Sequence, residues 1–368
     1  MGIVRVGLGA VAYRVIIEPG VLSRVGGTIR EACLPSGVHV VSNPTVWGLY
    51  GAVVEQSLRE AGLLGEDPNF VSLVPDAETA KSLTHLSGLY DDLVSRRLDR
   101  AVAVVAVGGG VVGDLAGLAA ATYLRGVALV QVPTTLLAQV DASVGGKVAI
   151  DHREGKNLIG AFHHPRAVVV DPSTLATLAP REFAAGMAEV IKHALIADEA
   201  YLRFLEEKGE DLRGLEPGVL ERAITRSVEI KAAVVGRDER EAGPRALLNL
   251  GHTIGHGVEA ATGYGRYRHG EAVAVGIVGA AWVSARMGLA AGDLVARVES
   301  VLAKYNLPTR LAGAVPASEV LAAMGHDKKR RGERLRWVLL RAPGDPLYGH
   351  EVPAAVAREA LSYLGAAD

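Results

Sequence analysis

Cysteine is almost absent from this chain, which has one cysteine, Cys33, among its 368 residues. An intramolecular disulfide framework is therefore excluded, and so is any cysteine-rich zinc or iron–sulfur site. A bound metal ion would have to use histidine and carboxylate ligands. The lone cysteine fits a reducing compartment, and the N-terminal segment lacks the long apolar core of a secretory signal. We therefore expect a cytoplasmic protein.

An excess of charge of either sign is also lacking, because 41 Asp and Glu residues balance 39 Lys and Arg residues. The net charge of −2 argues against a basic nucleic-acid surface and against a polybasic membrane anchor. The longest apolar stretches, residues 101–107 and 272–283, are shorter than the roughly 18 to 20 residues that a membrane-spanning helix needs. We expect neither a nucleic-acid partner nor a membrane partner.

Up to about residue 175, short β-rich segments alternate with segments of helical periodicity. Six segments are predicted to be strands, at residues 13–17, 38–41, 70–74, 101–107, 127–132 and 167–170. Several are continuously apolar, which is typical of parallel strands covered on both faces. Helical patterns at 46–61 and 79–97 separate them. We therefore predict an α/β nucleotide-binding domain over residues 1–174.

Beyond Leu175 the apolar residues recur every three or four positions, as they do in amphipathic helices. A strand-like segment at 335–340 and a closing helix after Pro353 follow. We predict a mainly helical domain over residues 175–368, all-α in class, that binds a metal ion and substrate. Ligand sites commonly form in the cleft between two such domains.

A glycine-rich turn follows the segment 101–107, with Gly108, Gly110 and Gly113 in the order GxGxxG. Backbone amides at the start of the next helix can bind a pyrophosphate. The acidic residue that a Rossmann unit carries about 20 positions later is missing, because the next strand ends in VPTT. A dinucleotide site and a ligand-free tight turn both stay open, and Asp114 could simply complement the helix dipole.

Two lysines, Lys147 and Lys156, lie among glycines in a segment that also contains Asp141 and Asn157. Lysine offers phosphate a compact positive charge, and glycine lets the backbone approach an anion. This composition indicates phosphate binding. The alternative interpretation is a solvated hairpin with ordinary surface lysines.

Three imidazoles and one carboxylate give the strongest chemical signal. His252 and His256 are one helical turn apart, and His269 opens another apolar helix. Glu189 shares a helix face with Lys192, where the two could equally form an ordinary surface ion pair. One carboxylate and two histidines make a familiar catalytic zinc set with a position open for substrate. The HExxH pattern of zinc peptidases is missing, so peptide hydrolysis is not favoured.

Taken together and in order, the motifs resemble those of the 3-dehydroquinate synthase family. They run from PDAETAKSL through GGGVVGDLAG, VPTTLLAQVDASVGGK, GKNLIGAF, GMAEVIKHALI, LNLGHTIGH and HGEAVAVG to DKK, so the resemblance covers nearly the whole chain. It implies an N-terminal α/β nucleotide domain, a helical C-terminal domain, NAD, a divalent zinc or cobalt ion, and a homodimer.

The resemblance also implies a reaction, a step of the shikimate pathway of aromatic amino acid biosynthesis. A carbon–oxygen lyase of this family converts 3-deoxy-D-arabino-heptulosonate 7-phosphate to 3-dehydroquinate and phosphate. Oxidation at C5 by NAD acidifies C6 and permits elimination of phosphate, and return of the hydride leaves no net redox change. A polyol or glycerol phosphate dehydrogenase, a related sugar-phosphate cyclase and a non-catalytic NAD-binding regulator are the alternatives.

The same resemblance implies a role for individual residues. The metal ligands would be Glu189, His252 and His269. The NAD site would contain Asp76, Glu78, Lys81, Gly109, Gly110, Val111, Val112, Gly113, Asp114, Thr134, Thr135, Lys147, Lys156, Thr174, Leu175, Ala176 and Thr177. Substrate would contact Asp141, Lys147, Asn157, Lys192, Lys231, Glu241, Arg245, Asn249, His256, one of Lys328 and Lys329, and Arg125 of the neighbouring subunit.

Overall fold

The computed structural model describes residues 2–8, 11–65, 68–241, 243–329 and 335–368, with side chains described throughout except at 11 and 326–329. The chain separates into two compact units. The first contains Met1–Leu178 and Leu220–Arg240, and the second contains Ala179–Val219 and Glu241–Asp368. The first unit is α/β and the second is largely helical, which confirms the predicted fold class. The domain limits expected from the sequence, 1–174 and 175–368, stay a prediction.

Seven strands form the sheet of the first unit. In chain order the nine strands of this unit are Gly2–Leu8 (β1), Val11–Ile17 (β2), Val38–Ser42 (β3), Val71–Leu73 (β4), Ala103–Gly108 (β5), Ala128–Pro133 (β6), Lys147–His152 (β7), Gly155–Phe162 (β8) and Ala167–Val170 (β9). The sheet order is β1-β2-β9-β6-β5-β3-β4. Only β1 and β2 pair antiparallel in it. Every residue of β3, β5 and β9 is buried, as expected of parallel strands with helices on both faces.

Four helices of this unit pack against the sheet: Val25–Cys33 (α1), Pro44–Glu60 (α2), Leu83–Ser95 (α3) and Gly110–Thr122 (α4). Successive side chains of a strand point to opposite faces. Accordingly Val104 and Ala106 of β5 pack with α3 and α4, while Val105 and Val107 pack with α1 and α2. The carboxyl end of β5 leads directly into α4, so the glycine-rich turn lies at the end of a central strand.

The segment 147–162 folds as a separate antiparallel hairpin of β7 and β8. Its inner side chains Val148 and Ile150 join the apolar cluster under α4, whereas Leu158 and Phe162 are exposed. Strand β1 was not predicted from the sequence, and a hairpin in this segment was considered only as the alternative to a phosphate-binding segment. The hairpin is thus packed on one side, against α4.

Helices dominate the second unit: Pro180–Ala197 (α5), Glu199–Glu207 (α6), Gly209–Arg213 (α7), His252–Ala261 (α9), His269–Arg286 (α10), Asp293–Lys304 (α11), Ala317–Lys329 (α12) and Ala354–Tyr363 (α13). Helix α8, Pro217–Arg237, belongs mostly to the first unit. A hairpin of Arg336–Ala342 (β10) and Asp345–Glu351 (β11) joins the helices, and its first strand contains the strand-like segment expected at 335–340. Among the described residues, no helix is both long and apolar enough to cross a membrane.

Helix α10 is the centre of the second unit and is buried along most of its length. It contacts α5, α9, α11 and α13. Two glycines allow this close packing: a Cβ on Gly270 would lie 2.0 Å from the carbonyl oxygen of Ala185, and one on Gly276 would lie 1.9 Å from that of Gly251. Because α10 reaches both neighbours at backbone contact distance, the first residues of α9 and α10 approach the middle of α5.

Candidate functional site

The three predicted metal ligands come from three helices of the second unit. Glu189 lies in the middle of α5, while His252 and His269 are the first residues of α9 and α10. Gly251 precedes His252 with a left-handed φ of 81°. Glycine adopts this conformation without the steric cost that a side chain would bring. The chain therefore turns sharply into α9, and His252 faces the start of α10.

The structure brings these three side chains together. Oε1 of Glu189 lies 3.7 Å from Nε2 of His252 and 3.5 Å from Nε2 of His269. One ligand atom from each residue lies within 4.8 Å of the other two, which is a spacing that can hold a metal ion. Glu189 is fully buried and pairs with Lys192, whose side chain is 1% exposed. The surface ion pair considered from the sequence is therefore excluded.

Burial and the surrounding charges separate the two histidines electrostatically. Burial, together with the positive charge of Lys192, lowers the pKa of His252 to about 3, although Glu189 opposes the shift. Burial acts in the same direction on His269, but hydrogen bonds to Glu189 and Glu259 raise its pKa to about 10. In the metal-free protein His269 is therefore an imidazolium near neutral pH and His252 is neutral, so the set holds one positive charge close to the position that a metal cation would occupy.

The outer nitrogen of each imidazole also has an acceptor. Nδ1 of His252 lies 3.2 Å from the carbonyl oxygen of Leu250, and Nδ1 of His269 lies 3.2 Å from Oε2 of Glu259. Both contacts direct Nε2 toward Glu189. Glu259 was not identified from the sequence, although its place seven residues after His252 puts it on the same face of α9.

Other predicted substrate residues of the second unit lie around the turn into α9. The side-chain amide of Asn249 donates to Oε1 of Glu241 at 2.6 Å. Arg245 is buried at 2% exposure. His256 is exposed, and its ring centroid lies 5.2 Å from that of His252. The side chains of Lys328 and Lys329 lie outside the described part of the chain.

Lys81 is the centre of a polar network in the first unit. It is 5% exposed, and its Nζ lies 2.8 Å from Oδ2 of Asp114 and also donates to Oδ1 of Asn157. Burial opposes its charge, but the negative charge of Asp114 and its neighbours raises the pKa of Lys81. Burial raises the pKa of Asp114 to about 6 against the attraction of Lys81. Glu78 lies 3.7 Å from Lys81 and 3.8 Å from Lys156.

The remaining predicted NAD residues surround the carboxyl ends of the central strands. Gly109 caps α4, which includes residues 110–114, and Thr134 and Thr135 follow β6. The Oγ1 atom of Thr134 is buried and has no hydrogen-bond partner within the described residues. The turn Pro172–Thr177 follows β9, and its Thr174 accepts a hydrogen bond from Gln139 at 3.0 Å. Asp76 accepts a hydrogen bond from Asn43 at 3.1 Å.

Asp141 and Lys231 form a further ion pair in the first unit. Nζ of Lys231 lies 2.5 Å from Oδ1 of Asp141 and 2.6 Å from its backbone oxygen. Asp141 belongs to a single π-helical turn, Ala138–Ala142, a feature often found at functional sites. Lys147 and Arg125 are both exposed. Sequence reasoning named these residues but could not pair them.

A glycine turn after a central α/β strand and a Glu-His-His set, with a buried carboxylate and partly buried imidazoles, define the class of a nucleotide- and metal-dependent enzyme. Family models of 3-dehydroquinate synthase match the chain along most of its length, the N-terminal model at residues 71–185 and the C-terminal model at 186–330. The 3-dehydroquinate synthase of Syntrophotalea carbinolica is 46% identical over 357 residues, which cover 97% of each chain. The chain belongs to the 3-dehydroquinate synthase family.

Two solved structures of other enzymes share the fold. One is a 2-epi-5-epi-valiolone synthase from Streptomyces hygroscopicus with NAD+ and Zn2+ bound, with a TM-score of 0.88, 28% identity and 98% coverage of both chains. The other is a 2-deoxy-scyllo-inosose synthase complexed with carbaglucose-6-phosphate, NAD+ and Co2+, with a TM-score of 0.86, 27% identity and 98% and 99% coverage. The likeness in fold therefore extends to synthases that are named for other products.

Proposed function

We propose that this chain is a carbon–oxygen lyase that converts 3-deoxy-D-arabino-heptulosonate 7-phosphate to 3-dehydroquinate and phosphate. The reaction would use NAD catalytically and a divalent zinc or cobalt ion. The observation that carries the proposal is the convergence of Glu189, His252 and His269, in a chain of this family. A plain dehydrogenase would share the glycine turn and a helical metal unit, so these two features are compatible with both reactions.

The donor chemistry of the second unit fits a zinc or cobalt ion. One carboxylate oxygen and two imidazole nitrogens converge, and three protein ligands leave a position open for substrate oxygen atoms. When bound, the ion would supply Lewis-acid polarisation of the substrate oxygens. Leu250 fixes the ring of His252 through its carbonyl oxygen, and Lys192 holds the second oxygen of Glu189. These contacts preorganise the ligand atoms before the ion arrives.

The first unit fits NAD. The turn at Gly109 leads into α4 without a side-chain cap, and the amides at a helix start suit a pyrophosphate. Thr134 has a buried hydroxyl that lacks a protein partner within the described residues, so a ligand atom can satisfy it. When bound, NAD would supply hydride transfer in both directions. The acidic ribose ligand of a Rossmann unit is not required by this arrangement, because Asp76, Glu78 and Asp114 offer carboxylates from other elements.

The substrate is an anion with a phosphate and a carboxylate, so it needs cationic and amide groups. We propose the substrate residues of the first unit as Asp141, Lys147, Asn157 and Lys231, and those of the second unit as Lys192, Glu241, Arg245, Asn249, His256 and one of Lys328 and Lys329. His256 would bind the phosphate. Since the ammonium groups of Lys192 and Lys231 are each held by a carboxylate, they are oriented before substrate binds.

We further propose a cytoplasmic homodimer in which Arg125 reaches the neighbouring subunit's site. Leu124 and Arg125 support this, because both are exposed and hold left-handed φ angles of 49° and 68°. Such angles are uncommon for residues with side chains and often mark functional positions. The balanced charge of the chain supports a small-molecule partner rather than nucleic acid or membrane.

The test follows phosphate release and NADH absorbance together, with the proposed substrate, catalytic NAD, and protein with or without a chelator. We expect chelator-sensitive phosphate release without net NADH. Glu189→Gln should abolish the release, whereas Glu55→Gln, a change in an exposed ion pair with Arg59, should leave it unaltered. Net NADH without phosphate would instead identify a dehydrogenase, and silence in both channels would refute the proposal.

A further inference from the structure

Glu259 is a buried acidic residue whose role the family motifs do not assign. Its side chain is 4% exposed, and Oε2 lies 3.2 Å from Nδ1 of His269. A carboxylate this deeply buried is retained in a fold only when charged or hydrogen-bonding groups compensate it. The inner nitrogen of the same ring, Nε2, lies 3.5 Å from Oε1 of Glu189. His269 therefore lies between two carboxylates, with one nitrogen toward each.

The two nitrogens of an imidazole cannot have the same role at a metal ion. A nitrogen that donates its hydrogen to a carboxylate leaves the other nitrogen with a lone pair for the metal, and this contact fixes both the tautomer and the ring plane. The contact between His269 and Glu259 has this form. His252 has a matching contact, but its acceptor is the backbone oxygen of Leu250, which no substitution removes. Glu259 is therefore the orienting acceptor that can be tested by mutation.

We propose that Glu259 is a positioning residue of the metal centre, which orients His269 and keeps its Nε2 as the ligand nitrogen. The inference rests on the proposed metal-dependent function. A carboxylate that accepts the hydrogen bond from Nδ1–H also makes Nε2 more basic, and so a stronger ligand for a divalent cation. Through this contact α9 supplies both a ligand, His252, and the group that orients the ligand at the start of α10.

A competing role for Glu259 is direct ligation. Ligand atoms of His256, Glu259 and His269 also lie within 4.8 Å of one another. A metal ion there would take Nδ1 of His269, so it would compete with the hydrogen bond to Glu259. The two roles differ in the number of ions bound and in the nitrogen that binds, and both quantities can be measured.

The experiment titrates Co2+ into the metal-free full-length protein against a chromophoric chelator and records the visible cobalt spectrum. We expect the wild type to bind one ion per chain. Glu259→Gln should lose about 10- to 100-fold in Co2+ affinity and show an altered cobalt spectrum. Glu259→Asp, which keeps the negative charge, should lose less affinity. The matched control is Glu271→Gln. Glu271 caps α10 two residues after His269 and pairs with Arg181 at 2.6 Å. This control should lower thermal stability and keep the cobalt spectrum.

Wild-type affinity and spectrum in Glu259→Gln would overturn the positioning role. Two ions in the wild type and one in Glu259→Gln would overturn it in favour of ligation. If the variants do not fold, nitrogen-15 spectra of the zinc-loaded wild type decide, since positioning requires a proton on Nδ1 of His269. Failure of the proposed function is distinguishable, because in that case the wild type itself would bind Co2+ no better than Glu189→Gln does.

Discussion

Replacing Gly276 by alanine tests whether close packing of α10 assembles the metal set. An alanine in a helix interior normally stabilises a protein by about 0.5–1 kcal/mol relative to glycine. At Gly276, however, the added Cβ would lie 1.9 Å from the carbonyl oxygen of Gly251 and 3.0 Å from the amide nitrogen of Gly255. Both neighbours are backbone atoms, so no side-chain rotation relieves the overlap. Overpacking of this kind costs about 1–3 kcal/mol, so the steric cost exceeds the gain in helix propensity.

We therefore expect Gly276→Ala to lower the free energy of unfolding of the second unit by about 1 kcal/mol and by no more than about 2.5 kcal/mol, which is the steric cost less the gain in helix propensity. The shift also moves Gly251, which precedes His252, so Co2+ affinity should fall as well. Thermal unfolding of the metal-free protein and chelator competition measure the two quantities. The matched control is Gly325→Ala in α12, where the new Cβ would have no neighbour within 4 Å among the described residues. If Gly276→Ala is as stable as Gly325→Ala, the packing argument is refuted.

Three further predictions concern the charged and polar groups. At about pH 8, binding of Zn2+ or Co2+ should release about one proton, because a pKa of about 10 keeps His269 protonated and a pKa of about 3 keeps His252 neutral. Metal affinity should therefore rise with pH up to about 10. Calorimetry in two buffers of different ionisation enthalpy measures the protons released, and binding without proton release would contradict the prediction. Thr134→Val should weaken NAD binding about fivefold or more and leave unfolding unchanged, since its buried hydroxyl has no partner in the described protein; unaltered NAD affinity in a fluorescence titration would contradict this. Asp141→Asn should lower the free energy of unfolding of the first unit by about 1–3 kcal/mol in chemical denaturation, because it removes a charge partner of the buried Lys231. The control Glu55→Gln, in an exposed ion pair of α2, should leave this free energy nearly unchanged.

The sequence predicted those elements whose pattern is strong over their whole length. The continuously apolar segments 101–107 and 167–170 became β5 and β9, and the segment 38–41, in which only His39 is polar, became β3, each within one or two residues. The predicted helix at 79–97 begins later, at Leu83, because residues 78–80 form a separate 3₁₀ turn and Ser82 caps α3. A capping side chain competes locally with helix propagation, and periodicity alone does not reveal it.

Strands with few inward residues escaped the sequence analysis. In β1 the buried side chains are those of Val4 and Val6, which is too short an alternation to recognise. In β7 and β8 glycines and charged residues interrupt the pattern, and the hairpin is held by the cluster under α4 rather than by its own composition. The second strand of the β10–β11 hairpin has only partly buried or exposed residues. Tertiary contacts determine whether such segments form strands, and the local sequence pattern does not reveal those contacts.

For the candidate site, the sequence indicated which residue types take part, but it did not indicate which of these residues contact each other. Lys81 meets Asn157 across 76 positions, and Lys231 meets Asp141 across 90. Sequence separation gives no direct measure of such contacts, which depend on how the β7–β8 hairpin and α8 pack in the first unit. Glu259 escaped notice for a related reason: its importance comes from His269 on another helix, not from its own segment.

The buried ionisable groups explain why the fold tolerates a site of this kind before a ligand binds. An isolated buried charge costs several kcal/mol, and a paired one costs much less. In the second unit Glu189 pairs with Lys192, and in the first unit Lys81 pairs with Asp114 and Lys231 with Asp141. Each pair holds a charged group in a fixed position where water cannot reorganise around it. A charged ligand that enters either unit therefore contacts groups that are already desolvated and oriented. The free energy needed to desolvate and orient these groups comes from folding and does not weaken binding.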